Sequence, residues 1–292
     1  MKSMEEFAQE VGVDSLVTVR GAGTRWGIGG SLLAGVKEVS APIGVVNVQP
    51  EEMIVEVGAG TKLDVLQQEL SEFNQEVALA GLPGSTVGGS LAVGSSSYRR
   101  ARIGTAADVL LQAVCVGADG KQFVAGGPTV KNVTGYDICK LLVSSLGTLA
   151  LIGVVTLRTR PKPERETWLT GGASLKEVTN CCYRPASVLT DGSKTFVLLE
   201  GYAEDIEKES KSLKSVGMLP MDTAPYIPPA VKGNSKEVPK GGLLDLQTGI
   251  QYSTQPSQQK QVPESIKELS KRIKSNFDPT GRLNPGRDPY LL

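Results

Sequence analysis

Short apolar runs cut by glycine-rich turns dominate the first half of the chain. Leu16-Val17-Thr18-Val19 reads as a strand emptying into Arg20-Gly21-Ala22-Gly23-Thr24-Arg25-Trp26-Gly27-Ile28-Gly29-Gly30. Met53-Ile54-Val55-Glu56-Val57 reads as a second strand, closed by Gly58-Ala59-Gly60. A helix is expected next: Thr61 with Asp64 three residues on is an N-terminal capping pattern. Leu63, Leu66 and Leu70 then recur at helical spacing. Val109 to Val116 and Gln122-Phe123-Val124 flank Asp119-Gly120, a hairpin signal with a slightly longer loop. Leu149 to Leu157 is strongly apolar and predicts a buried strand.

The pattern changes at Arg160-Pro161-Lys162-Pro163, where prolines and charges mark a domain boundary. Beyond it, Phe196 to Leu199 predicts a strand and Asp205 to Val216 a surface helix. Ser253 to Gln261 is polar and Gln-rich, as in a loop or linker. Pro263 suits the first turn of a closing helix with Ile266, Leu269 and Ile273 on one face, ending before Asp278-Pro279-Thr280-Gly281. The fold class expected is α+β in two lobes, residues 1–163 and a smaller part over 164–292, with no internal repeat.

Charge narrows the functional classes. The 31 basic and 31 acidic residues cancel, leaving no footprint for nucleic acid or an anionic membrane. The first twenty residues carry acids without a long apolar run and do not read as a signal peptide. No apolar stretch has the length of a bilayer span. The four cysteines lack C-x-x-C spacing, so neither zinc nor a redox dithiol is expected, and a cytoplasmic setting is the simplest reading. Cys181-Cys182 reads as packing. Histidine is absent, which removes the commonest general base and transition-metal ligand.

The 34 glycines concentrate before residue 155, as if backbone must approach something closely. Successive amides around Gly21, Gly23 and Gly27 could form a nest for an anion. No Walker Gly-Lys-Ser/Thr follows, and Gly23 and Gly27 enclose three residues where a dinucleotide fingerprint has two. An ordinary Rossmann site is excluded. A phosphate nest and a bare surface loop both remain open on this loop alone.

Further segments lie in a telling order. Val19-Arg20-Gly21-Ala22-Gly23-Thr24-Arg25 resembles the pyrophosphate loop of the p-cresol methylhydroxylase/vanillyl-alcohol oxidase-type FAD domain. Glu56-Val57-Gly58-Ala59-Gly60-Thr61 resembles that family's strand and turn before its first helix. Pro83-Gly84-Ser85-Thr86-Val87-Gly88-Gly89-Ser90 resembles its second nucleotide loop. Ser145-Leu146-Gly147-Thr148-Leu149-Ala150-Leu151-Ile152 resembles a cofactor-lining segment, and Phe277-Asp278-Pro279-Thr280-Gly281-Arg282-Leu283-Asn284-Pro285-Gly286 its C-terminal signature near the isoalloxazine. Within the family, Tyr98-Arg99-Arg100-Ala101-Arg102-Ile103-Gly104-Thr105-Ala106, Val130-Lys131-Asn132-Val133-Thr134-Gly135-Tyr136-Asp137 and Lys140-Leu141 are similar to the FAD-binding E subunit of glycolate oxidase. The likeness covers residues 13–163 and resumes at 263–287, so a p-cresol methylhydroxylase-type domain with a shortened C-terminal α+β cap is implied.

The resemblance implies FAD, held by amides of Arg20, Gly21, Ala22, Gly23, Thr24 and Arg25 with Gly27, and by Pro83, Gly84, Ser85, Thr86, Gly88, Gly89 and Ser90. Gly147, Ile152 and Asn284 would lie near the flavin, where the two lobes are expected to meet. Family members often tether FAD through histidine; here the cofactor is expected to be non-covalent. The implied activity is 2-hydroxy-acid (glycolate) dehydrogenation, with a D-type FAD subunit oxidising substrate and an iron–sulfur subunit taking electrons onward. Membrane contact, if any, would be peripheral and through that complex.

Candidates for substrate chemistry carry two readings each. Arg99, Arg100 and Arg102 could bind a carboxylate, or could form a solvated basic turn or a subunit contact. Tyr136, Asp137 and Lys140 could move a proton, while Lys131 and Asn132 could merely fix a loop. Trp26 could cover an adenine or plug the lobe interface. Two rivals stand beside the main reading: a same-fold flavin reductase using NADPH on a UDP-sugar, and a scaffold that has lost FAD. No catalytic residue is assigned.

Overall fold

The strand Leu151–Pro161 organises the first part of the molecule, with residues 151–157 all buried. It lies between the antiparallel strands Ile54–Gly58 and Leu110–Val116, so both its edges are paired, and with successive side chains buried on both faces an unbroken apolar run is what the position demands. The computed structural model describes residues 2–128, 137–228, 230–232, 235–254 and 262–291. The described residues form two compact units, one drawn from 1–95, 105–161 and 259–292, the other from 96–104 and 162–258. The mixed helix-and-sheet class expected from the sequence is the one found.

In the first unit the sheet runs Val45–Gln49, Ile54–Gly58, Leu151–Pro161, Leu110–Val116, Gln122–Gly126, with Gln75–Val77 pairing the end of the long strand. The last two form the hairpin that Asp119-Gly120 predicts, and Gly120 sits at φ +73°. A separate parallel pair, Val17–Val19 with Lys37–Val39, carries the glycine loop at its end. The helix Leu63–Ser71 buries Leu63, Leu66 and Leu70 as the spacing predicts, Leu66 and Leu70 completely. Each contributes about 2 kcal/mol of burial. The expected Thr61–Asp64 cap is not formed. Lys62 is the N-cap, and the buried Thr61 hydroxyl instead accepts the Gly44 amide at 2.8 Å, because Thr61 is drawn inward by the turn after Gly60.

The second unit is a seven-stranded antiparallel sheet among the described residues. Its order is Leu219–Met221, Arg165–Gly171, Thr195–Gly201, Ser187–Thr190, Leu243–Asp245, Gln251–Ser253, Ala230–Lys232. The expected strand near Phe196 and helix near Asp205 appear as Thr195–Gly201 and Ala203–Ser215. The helix Leu175–Cys181, closed by a Ser174–Glu177 capping box, was not anticipated. Of the polar stretch from Ser253, residues 255–261 lie outside the described residues.

A passage between units falls at Pro161–Lys162, beside the break read at residue 163. The assignment of 164–292 to one part differs from the structure, which groups the described residues of 262–291 with the first unit. The reason is polar. Arg282 is buried and donates to the carbonyls of Ser15, Ala118 and Val11 at 2.9, 3.1 and 2.7 Å, and Leu283 bridges to Val17. The closing helix is Glu264–Phe277 with Pro263 at the N-cap; Ile273 and Phe277 pack on the core, while Ile266 and Leu269 stay exposed.

Candidate functional site

The site begins where the strand Val17–Val19 ends. The Arg20 amide still donates to Val39, and chain-internal bonding then lapses. Among the described residues, the amides of Gly21, Ala22, Gly23 and Thr24 have no acceptor, until Trp26 donates to Gly23 and Ile28 to Arg25. Gly23 supports this turn with φ +72°, a region costly for a side chain. A run of adjacent amides without protein partners is the arrangement that receives an anion.

A second loop meets the first. The Thr24 and Ser85 hydroxyls lie 3.1 Å apart, and a Cβ on Gly21 would stand 2.5 Å from Thr86 Oγ1. Thr86 caps the helix Val87–Val93, accepting the Gly89 amide at 3.2 Å. This helix occupies part of what the sequence reads only as a loop. Gly88 lets it press on the turn after Ile54–Gly58: its amide donates to Ala59 at 2.7 Å, and an added Cβ would fall 2.8 Å from Ala59 Cβ. Gly88 is therefore a packing glycine as well as a lining one.

The third wall is the segment after Leu142. Ser144, Leu146 and Gly147 all take positive φ, and the amides of Ser144 and Leu146 donate to Leu91 and Ala92 of the capped helix. Positive φ at two non-glycine residues stores strain that the surrounding bonds must hold. Asn284 links this segment to the first strand. It is buried, its amide donates to Val17, Nδ2 donates to Gly147 at 2.9 Å, and Oδ1 accepts the Thr18 hydroxyl.

These walls enclose two hollows. The first is lined by Gly21, Ala22, Gly23, Thr24, Arg25, Ser85, Thr86, Gly89 and Ser90 with Trp26, Leu146, Asn284 and Arg287. The second is lined by Arg20, Gly21, Thr86, Gly88, Gly89, Gly147, Ile152 and Asn284 with Ala59, Gly60 and Leu151. Gly21, Thr86, Gly89, Leu146 and Asn284 belong to both, so the hollows adjoin across shared walls, an arrangement suited to an elongated ligand. Of the residues expected to hold cofactor, Gly27, Pro83 and Gly84 line neither. Sequence reasoning missed Leu146 as a strained lining residue and Arg287, which directly follows the last residue of the recognised signature.

The electrostatics are one-sided. Neither hollow is lined by a carboxylate, amine, phenol or thiol among the described residues. Arg25 and Arg287 are drawn below the ordinary guanidinium range by burial. The indole of Trp26 has the guanidinium carbons of Arg20 and Arg287 at 4.8 and 4.9 Å from its centre. Ser90 Oγ is buried with no hydrogen-bond partner among the described residues, a polar atom left for something else to satisfy.

Other candidates fall elsewhere. Arg99 donates to the buried Glu200 at 2.7 Å, with Arg102 at 3.7 Å from the same carboxylate, all within the second unit. Asp137 accepts the Lys140 amide as the N-cap of Ile138–Leu142 and ion-pairs with Lys140 at the surface. The partners that the structure gives Arg99, Arg102, Asp137 and Lys140 are thus protein groups of their own surroundings. Residues 130–136, including Lys131, Asn132 and Tyr136, lie outside the described residues.

Comparison with known proteins points to a nucleotide: residues 6–126 match the FAD binding domain family. This part of the chain is an FAD binding domain. The glycolate oxidase subunit GlcE of Escherichia coli (strain K12) is 26% identical over 177 residues, 60% of this chain and 51% of that protein. A D-lactate dehydrogenase of Archaeoglobus fulgidus is 31% identical over 183 residues, 60% of this chain and 40% of its own. The chain thus spans about half or less of these relatives. A solved structure of alkyldihydroxyacetonephosphate synthase superposes with a TM-score of 0.60 at 15% identity, covering 76% of this chain and 52% of that one, which establishes the p-cresol methylhydroxylase-type fold. FAD fits the residues present. Unbonded amides, an orphaned hydroxyl and guanidinium groups suit a diphosphate, and glycines open the wall where a Cβ would close it.

Proposed function

We propose that this chain is the FAD-binding subunit of a multi-subunit 2-hydroxy-acid dehydrogenase of the glycolate type, holding FAD without a covalent bond and supporting electron transfer to an iron–sulfur partner. The amides of residues 21–25 grip the diphosphate, the Thr24, Ser85, Thr86 and Ser90 hydroxyls supplement them, and Gly88, Gly89, Gly147 and Ile152 border the remainder. Bound FAD would supply two-electron acceptance. The protein's own residues bind, orient and shield.

One observation carries the division of labour: the lining offers donors and apolar surface but no proton acceptor of the usual kinds among the described residues. Substrate deprotonation is then the task of a D-type partner. The likeness to a protein named as a glycolate oxidase subunit supports the same reading. None of the four cysteines lines either hollow and the chain has no histidine, which supports non-covalent FAD.

The test is purification from the native host with a visible spectrum. Flavin bands with iron–sulfur absorbance and two further subunits are expected. If this chain alone oxidises glycolate while the D-type partner turns over nothing, the assignment is reversed. A chain that stays colourless after incubation with FAD would mean the cofactor reading fails.

A further inference from the structure

Beyond Asn284, the tail carries a cation that has no matching anion among the described residues. Arg287 is half-buried and lines the first hollow. Its Nη1 donates to the carbonyls of Ile28, at 2.9 Å, and Gly30, and its guanidinium lies over Trp26. Neither carbonyl nor indole carries a full negative charge. No carboxylate lies within ion-pair distance among the described residues. The contrast with Arg282 is direct: that guanidinium has Asp278 and Asp14 as opposing charges, whereas burial acts on Arg287 alone. A partly buried charge without a counter-charge is costly unless an anion completes it.

The same hollow holds the four amides without acceptors, so charge and donors converge on one place. We propose that Arg287 completes the diphosphate subsite of FAD: the guanidinium donors not used by Ile28 and Gly30 bond the phosphate oxygens, while Trp26 holds the guanidinium plane. A guanidinium offers five N–H donors in a fixed fork, so two bonds to carbonyls leave others for an anion. The C-terminal tail is thereby part of the nucleotide site and not only a strap across the glycine loop. The inference rests on the FAD reading.

The full chain, as wild type, R287Q and R287K, is titrated with FAD and ADP by fluorescence. R287Q is expected to weaken both ligands about ten-fold or more, the value of one charge-assisted bond, with R287K restoring most of the affinity. Phenylglyoxal labelling of the unaltered protein, mapped by mass spectrometry, supplies a readout that needs no variant. ADP is expected to protect Arg287, and riboflavin, which lacks the diphosphate, is not. Equal loss in both variants, no loss in either, or labelling indifferent to ADP would overturn the proposal and leave Arg287 a strap. Wild-type protein that binds FAD but leaves Arg287 unprotected sinks this assignment alone; wild-type protein that binds no FAD sinks the reading beneath it.

Discussion

At Gly21 an added methyl would meet the Thr86 hydroxyl, the same oxygen that accepts the Gly89 amide. Gly21→Ala therefore strains a helix cap and narrows both hollows at once. FAD affinity is expected to fall at least ten-fold, with about 1 kcal/mol of stability lost through the cap, measured by flavin fluorescence and denaturant unfolding. Asp278 makes a pH-dependent case. Its carboxylate is buried; burial alone would raise its pKa, but Lys274 and the amides of Leu283 and Arg282 hold it below the usual range. A depressed folded-state pKa contributes stability above the unfolded value, near 3.9, and loses it as pH falls through the folded one. Asp278→Asn is expected to cost about 2–4 kcal/mol at pH 7. Unfolding curves of the two proteins should converge on acidification below about pH 4; a constant gap down to pH 2 would count against the mechanism.

Among the elements, the hairpin joining Leu243–Asp245 to Gln251–Ser253 turns on Asp245. Its Oδ1 accepts the amides of Gln247 and Thr248, while Oδ2 is buried with no partner among the described residues and burial raises its pKa. The side chain is needed for its geometry more than its charge. Asp245→Asn keeps the turn and is expected to be neutral or stabilising by up to about 1 kcal/mol at pH 7, whereas Asp245→Ala should cost about 1–2 kcal/mol. Chemical denaturation of both variants separates the two contributions. The same logic explains why capping signals were legible unevenly. Ser174–Glu177, unanticipated from the sequence, closes on itself and needs nothing from afar, whereas the expected Thr61–Asp64 cap failed because the Thr61 hydroxyl was taken by Gly44, a residue no local pattern could nominate.

For the whole molecule, the return of the chain end is decisive. Removing residues 278–292 would leave the carbonyls of Val11, Ser15 and Ala118 without Arg282, and Thr18 and Gly147 without Asn284. One tryptophan stands in each unit, Trp26 in the first and Trp168 in the second. In the truncated chain, Trp168 fluorescence in a Trp26→Phe background should keep a cooperative transition. Trp26 fluorescence in a Trp168→Phe background should lose it, since the first unit forfeits on the order of 3–5 kcal/mol of buried hydrogen bonding. Loss of both transitions together would show the two units fold as one.

Local pattern alone determined the buried long strand, the Leu63–Leu70 helix face and the Asp119-Gly120 hairpin, because each depends on neighbours a few residues apart. Glycine placement and the resemblance it carried pointed to the nucleotide loops, since a missing side chain is written in the sequence itself. Tertiary structure decided the rest. That Asn284 bonds Thr18 and Gly147, that Glu200 claims Arg99, and that Arg287 lines the same hollow as residues 21–24 are juxtapositions across separations of about 100 residues or more. No local pattern encodes them, because a hydrogen-bond partner is chosen by where the folded backbone has brought it, not by its distance along the chain.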